Sequence, residues 1–357
     1  MYGVPAPLTA PDQPAGGVPR TGSTPRPARS AWWPAWADGL LAPSATAFRR
    51  WALAGVITSV LIILTGAAVR LSQSGLGCPD WPACTAHSLG AADTTGDPLI
   101  HRWVEFGNRL VTVAIFVVAV GVFIAAWQYR GPDGKRRRDL LWLAAAQPGA
   151  IVAQAVIGGL VVLTKLNPAL VSVHFLFSVA LVAATVALYV RCQEGTAPAR
   201  PLAPRLVQLT ALAVVANVAV MMAAGTVVTG TGPLAGSADV ARYHLPLEGV
   251  TQLHADIGWL LGGLLVALLL SMRLTSVPAR AMRLGWLLLG LVGLQGVIGY
   301  AQYFSGLPAG LVWFHVAGST AIWVTALLLP YELRDRGRNQ APQAPRIDER
   351  PSVSATP

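Results

Sequence analysis

The sequence predicts an all-α integral membrane protein, its eight transmembrane helices arranged as two parallel-repeat four-helix bundles. Three observations carry that expectation. Of the 357 residues, 54% are hydrophobic and only 12% charged, against about 25% charged in a soluble domain, and the mean hydropathy is +0.54. Eight apolar runs are each long enough to cross hydrocarbon as a helix, which takes about 20 residues. The chain also repeats itself. Gln154-Ala-Val-Ile-Gly158 is followed by His174, twenty positions after the glutamine, and Gln295-Gly-Val-Ile-Gly299 is followed by His315 at the same interval. A membrane protein built from two similar halves, with a histidine at one place in each, implies two related cofactor sites.

Residues 1–47 are rich in Pro, Gly, Ala, Ser and Thr. They cannot bury a core and are expected to be a disordered cytoplasmic tail, with Trp32, Trp33 and Trp36 suited to the membrane interface. The first apolar run starts near residue 50, too far in for a cleavable signal peptide. The runs near 51–70, 104–129, 139–163 and 170–190 make an N-terminal half, 48–191. Those near 205–229, 249–271, 281–302 and 309–330 make a C-terminal half, 192–331. Residues 332–357 form a second polar tail, also expected to be disordered. Each half has an even number of helices, so both enter from the same side. The repeat is then parallel, with its pseudo-twofold along the membrane normal.

The formal net charge of +10 is a topology signal rather than a nucleic-acid signature. Arg49 and Arg50 precede the first run. Lys135 to Arg138 lie between the second and third, Arg191, Arg200 and Arg205 between the fourth and fifth, and Arg273, Arg280 and Arg283 between the sixth and seventh. Arg334, Arg336 and Arg338 follow the eighth. The other four connections are poorer in Lys and Arg. By the positive-inside rule this is a multi-pass protein of the cell membrane with both termini cytoplasmic. Cys78 and Cys84 then fall outside, in a short Pro/Gly-rich loop, and read as a disulfide in preference to two free thiols or a metal pair. The outer loops 71–103 and 230–248 are the longest connections between runs, and long loops on one face usually carry function.

Six histidines (His87, His101, His174, His244, His254 and His315) lie on or near the outer side. His174, His254 and His315 each sit a few residues into an even-numbered helix, about 6–10 Å below its start. An ionisable side chain inside a bilayer is a functional hypothesis by default. Three at one depth, two of them in register across a duplication, point to cofactor ligation. The alternative is neutral histidines hydrogen-bonded to neighbouring helices. His254 and His315 pair within one four-helix bundle, as a six-coordinate haem requires. Aligning the halves places Asn108, not a histidine, opposite His254. His101 lies two turns away on the same face, and Glu105 brings a carboxylate into the membrane. For Glu105 a salt bridge to Arg102 or Arg109 is the competing reading.

These residues together resemble the haem A synthase family, of the actinobacterial kind. The resemblance runs from about Arg50 to Tyr331. It is carried by Thr65-Gly-Ala-Ala-Val-Arg70, Ser74-Gly-Leu-Gly-Cys-Pro-Asp-Trp-Pro-Ala-Cys84 and Val104-Glu-Phe-Gly-Asn-Arg109, and by Gln154-Ala-Val-Ile-Gly-Gly159 with His174. Gly225-Thr-Val-Val-Thr229, Gln252-Leu-His254, and Gln295-Gly-Val-Ile-Gly299 with His315 complete it. It implies an oxidoreductase that converts the C8 methyl of haem O to the formyl group of haem A, by two hydroxylations and loss of water from the gem-diol. It also implies haem b on His254 and His315, substrate haem O in the N-terminal half with His174 as iron ligand, and Glu105 as the catalytic acidic residue. The Cys78–Cys84 pair fits the extracytoplasmic cysteines of the family. One departure stands out. The family's Glu-x-x-His is Glu105-Phe-Gly-Asn108 here. The second axial position at the substrate iron is left to His101, to a water held by Asn108, or to nothing.

The anionic propionates of a haem would meet Arg70, Arg102 or Arg109 at the outer level; interfacial snorkelling is the plainer account of each arginine. Expected partners are haem O, a haem O synthase, an electron donor that the sequence does not name, and the bilayer. Nucleic acid is not expected, and homo-oligomerisation is left open. Two other readings compete. A di-haem membrane cytochrome b, passing electrons from quinol without modifying haem, should carry a symmetric histidine pair in both halves, which Asn108 opposes. A transporter should carry broken helices and mid-membrane polar residues, whereas the ionisable groups here gather at the outer edge.

Overall fold

The structure, a computed structural model, describes residues 43–85, 99–131 and 133–337. Most of the two expected tails, His87 and the centre of the first outer loop lie outside the described residues. Eight long helices follow one another: α1 (Ala45–Leu71), α2 (Leu99–Gln128), α3 (Arg138–Leu163), α4 (Pro168–Arg191), α5 (Arg205–Thr231), α6 (Leu247–Leu274), α7 (Ala279–Phe304) and α8 (Ala309–Glu332). Each is long and apolar enough to span a membrane, so the described residues build an all-α frame of eight membrane-length helices. A helix suits this solvent because its backbone hydrogen bonds close within the segment. The ends are marked by local chemistry. Ser44 caps α1 by accepting from Ala47 N–H, Asn167 caps α4 from its side chain, with Pro168 in the first turn, and prolines stand at the N-caps of α5, α6, α7 and α8.

Neighbouring helices pack in two closed rings. In the first, α1 packs on α2, α2 on α3, α3 on α4, and α4 returns to α1; α5 to α8 repeat the pattern. The rings meet through α1 with α8, α4 with α5, and α4 with α8. Exchanging α1 for α5 and α4 for α8 leaves that list unchanged, as a twofold axis between the rings requires. The largest buried apolar cluster lies at this seam, joining Val56 and Ile63 of α1 and Val182 and Val186 of α4 to Val214, Leu265 and Leu329 of the second ring. Two indoles of α8 cross it: Trp313 Nε1 donates to the Leu64 carbonyl at 3.1 Å and Trp323 Nε1 to that of Val179 at 2.9 Å. Large apolar side chains on the outer surfaces, such as Leu61, Val117 and Leu270, remain exposed, as lipid-facing residues should.

The short-loop face, where α1 starts and α8 ends, is tied by charge. Asp139 receives Arg137 and Arg191 at 2.8 and 2.7 Å, and Glu194 receives Arg191 and Arg334 at 2.7 and 3.1 Å. The Arg137 guanidinium, just outside α3, is held above the usual arginine value by its hydrogen bond to Asp139. Two residues on each side of the rings, β1 (Arg200–Pro201) and β2 (Arg334–Asp335), pair antiparallel. On the opposite face the long loops touch, Gly75 N–H donating to the Gly236 carbonyl at 2.9 Å.

Candidate functional site

The glutamine and glycine of the repeated motif are four residues apart, hence on one helix face. Their separate jobs are visible in α3 and α4. The Gln154 side chain donates to the His174 carbonyl at 2.9 Å and contacts Ser178 Oγ, which fixes α3 against the turn carrying His174. Gly158 then lies under the imidazole: a Cβ there would stand 3.2 Å from His174 Cε1. The second copy repeats the seat. A Cβ on Gly299 would be 3.4 Å from His315 Cε1, and the Gln295 amide fills the place where Gly318 has no side chain. His254 is seated the same way on Gly225 of α5, at 3.3 Å. The sequence flagged these glycines as motif letters. The structure assigns them as floors for three imidazole rings.

His174, His254 and His315 lie six, seven and six residues into α4, α6 and α8, about 9–10 Å below the helix starts. The Nδ1 atoms of all three are buried without a hydrogen-bond partner. A buried polar atom without a partner costs about 1–3 kcal/mol, so three at one level indicate a site built for a guest. The His254 and His315 ring centres are 6.3 Å apart. Two metal–nitrogen bonds of about 2.0 Å, each extended by about 1.1 Å from nitrogen to ring centre, sum to about 6.2 Å. That spacing would leave room for one metal between the two imidazole rings. Among the described residues no group of three or more His, Cys, Asp or Glu could hold a bare ion. Two facing histidines suit a metal that brings its own macrocycle.

The first ring is built differently. His101 Nδ1 pairs with Ser74 Oγ at 2.8 Å, so that imidazole is engaged with the outer loop. Asn108 presents a buried Oδ1 with no partner. Gly66 of α1 corresponds to Gly225, which floors His254; a Cβ on Gly66 would meet nothing within 4 Å. Among the described residues nothing fills the space beside Gly66 that His254 fills beside Gly225.

Glu105, 6% exposed, is part of a loop anchor. Its Oε1 meets Arg109 at 2.6 Å and its Oε2 accepts Cys78 N–H at 2.7 Å. Arg109 also donates to the carbonyls of Cys78, Asp80 and Ala83, each at 3.0 Å. Cys78 and Cys84 are disulfide-bonded, which closes the loop around this anchor. Gly77 packs against the His101 backbone, and the Trp81 ring lies against Gly159, beside the floor of His174. Of the expected arginines, Arg109 is spent on this loop and Arg102 is buried. Arg70 forms no ion pair among the described residues. The role of Trp81 was not legible beforehand; an aromatic between two prolines in a cysteine loop was the available signal.

The sequence profile of the family COX15-CtaA, cytochrome oxidase assembly protein, matches residues 49–327, which takes in both rings. Relatives agree. The chain is 27% identical to "Heme A synthase" of Shewanella oneidensis over 330 residues, covering 78% of this chain and 94% of that protein. It is 35% identical to the protein of that name from Lysinibacillus sphaericus over 129 residues, 36% of this chain and 39% of that one. For the Geobacillus thermodenitrificans protein the identity is 33% over 123 residues, 34% and 35% of the two chains. A duplicated eight-helix frame, three seated histidines at one depth and a match across both rings converge, and the chain belongs to the COX15-CtaA family of cytochrome oxidase assembly proteins.

Proposed function

We propose that the protein is a haem A synthase, an oxidoreductase that takes the C8 methyl of haem O to a formyl group by two hydroxylations and loss of water from the gem-diol. The observation that carries this reading is the His254–His315 pair, 6.3 Å between ring centres, inside a chain whose relatives bear that name. In this reading His254 and His315 of residues 192–331 would hold haem b, which would supply one-electron redox chemistry there. Residues 48–191 receive haem O, with His174 as its protein ligand. The membrane is the natural place for a substrate with a long isoprenoid tail. The arginine and lysine pattern supports cytoplasmic termini, which puts the histidines and the disulfide on the outer side.

In the first ring we assign no second imidazole. The asparagine at the position matching His254 and its buried Oδ1 without a partner among the described residues support a substrate iron with one protein ligand, Asn108 lining the vacant side. That asymmetry separates the rings: the doubly ligated one stores an electron, the open one does chemistry. It also disfavours a plain di-haem cytochrome. Glu105 serves the first ring as a positioning residue, holding the Cys78–Cys84 loop and Trp81 over the site, and Arg70 is the arginine left for a propionate.

The test is to express the protein beside a haem O synthase and separate the extracted haems. Haem A, or its hydroxylated precursor when electrons are short, is expected, and His174→Ala should stop it with haem b still bound. Unchanged haem O in cells with intact protein and haem b would favour the electron-transfer cytochrome instead.

A further inference from the structure

A substrate and its product must cross the wall of their site at every turnover, whereas a resident cofactor stays. In the first ring the topology leaves one place for that crossing at the depth of His174. On the long-loop face α1 and α2 are linked by the loop after Leu71, and α3 and α4 by residues 164–167. The edge made by α1 and α4 is packed against the second ring through Val56, Ile63, Val182 and Val186. α2 and α3 differ on both counts. Their connection, 129–137, lies at the opposite face, and they turn exposed apolar side chains such as Val117 and Val156 outward. Their long-loop ends are free to part toward lipid. The same holds for α6 and α7 in the second ring, joined at the short-loop face by 275–278.

The two seams are closed in different ways. In the second ring Trp259 Nε1 of α6 donates to the Tyr300 hydroxyl of α7 at 3.3 Å, so side chains carried by the helices themselves bolt the seam. The register that matches Gln154 with Gln295 and Asn108 with His254 places Gly159 opposite Tyr300 and Val113 opposite Trp259. Glycine and valine have no side-chain group to make that bond. A loop residue stands in for it. A Cβ on Gly159 would be 2.5 Å from Trp81 Cδ2, so the indole rests directly on the α3 backbone, one residue from the floor of His174. Arg109 of α2 grips both neighbours of Trp81, at the carbonyls of Asp80 and Pro82, 3.0 and 3.4 Å away. Trp81 therefore bridges α2 and α3. It is 38% exposed and belongs to neither helix, so it can withdraw without unpacking either.

We propose that the α2–α3 seam is the port through which a prenylated haem enters the first ring from lipid and its product leaves, and that Trp81 is the positioning residue that closes it. The inference rests on the haem O reading above. A resident cofactor is served by a fixed wall, and a site that exchanges its occupant needs one that yields and recloses. A substrate with a long isoprenoid tail is dissolved in the bilayer and reaches the ring from the side. A gap between two helices passes the macrocycle edge-on while the tail stays in hydrocarbon. Glu105, Arg109 and the Cys78–Cys84 bond keep the loop beside the seam, so the indole moves a short way and returns to Gly159 once the substrate is inside.

The experiment uses the full chain carrying haem b, purified from cells without a haem O synthase and placed in lipid nanodiscs. Haem O is added, and the Soret band gives its association rate and its affinity. Wild type should take up haem O and His174→Ala should not, which assigns the signal to the first ring. Trp81→Ala should raise the association rate about tenfold and leave Kd within about twofold, because a gate changes entry and exit alike, whereas a contact with the bound ligand changes mainly exit. Trp81→Ala combined with Gly159→Tyr gives α3 the side chain of the second ring and should bind haem O more slowly than wild type. Tyr300→Gly removes the fixed wall of the second ring and should release haem b to apomyoglobin faster than wild type does. The reduced b-type spectrum of the second ring checks the fold of the Trp81 and Gly159 variants. An unchanged association rate in Trp81→Ala would overturn the port; a weaker Kd at that unchanged rate would make Trp81 a contact of the bound substrate instead. Wild type that keeps haem b and takes up no haem O would overturn the substrate reading, and this inference with it.

Discussion

A glycine beneath each histidine is the smallest unit of this design. A ring that must stand upright between two helices needs a neighbour without a Cβ, and Gly158, Gly225 and Gly299 provide it at 3.2–3.4 Å. Gly225→Val should therefore tilt His254 and remove most of the reduced b-type absorbance per protein. Gly262→Ala on α6, where a Cβ meets nothing within 4 Å, should leave that absorbance unchanged. His254→Ala and His315→Ala should each abolish the low-spin signal, whereas His101→Ala, whose ring is held by Ser74, should keep it. Asn108→His offers the opposite change. The open space at Gly66 should accept the new imidazole, and the substrate haem should turn low-spin and lose reactivity. A high-spin spectrum in that variant would show that the vacant side is elsewhere. Thiol chemistry checks the cysteines. Cys78 and Cys84 are bonded, and burial raises the Cys192 thiol to about 12, so little nucleophilic thiolate is present at neutral pH. The native, unreduced protein should take up no maleimide, and mild reduction should add two labels.

At the scale of elements, α2 and the loop after α1 are held together by one carboxylate and one guanidinium. Glu105 uses both oxygens on this work, one on Arg109 and one on Cys78 N–H. Glu105→Ala leaves a buried amide donor unmatched, a loss of about 1–3 kcal/mol, and should make the disulfide more accessible to reductant. Glu105→Gln keeps an acceptor for Cys78 N–H. If the residue positions the loop, the glutamine variant should recover a substantial part of the haem A yield and restore the slow reduction. Equal inactivity of both variants, with the loop intact in the glutamine one, would assign Glu105 a proton-transfer role instead. The ion pair was readable from the sequence as an i,i+4 contact. The carbonyls that Arg109 also collects were not, because they come from a loop 26–31 residues away.

For the whole molecule, the two rings share a seam but not a task. His174→Ala should stop oxidation of haem O without lowering the haem b content, while His315→Ala should lower both, since the first ring depends on the second for electrons. Trp323→Phe removes an indole hydrogen bond across the seam. The cost should be about 1 kcal/mol, visible as a lower midpoint in detergent melting, with both haem sites retained.

The number of spans, their order, the duplication and the depth of His174, His254 and His315 were all legible in the one-dimensional pattern. Hydrocarbon imposes a length and an apolar composition on every segment, and a duplication repeats its letters at fixed intervals. Three things waited for the tertiary structure: the 6.3 Å spacing of His254 and His315, the engagement of His101 by Ser74, and the seating of Trp81 on Gly159. Each depends on how helices are rotated against one another. That rotation is set by packing between segments distant in the chain, and in a helix apolar on every side no periodicity announces which face turns inward.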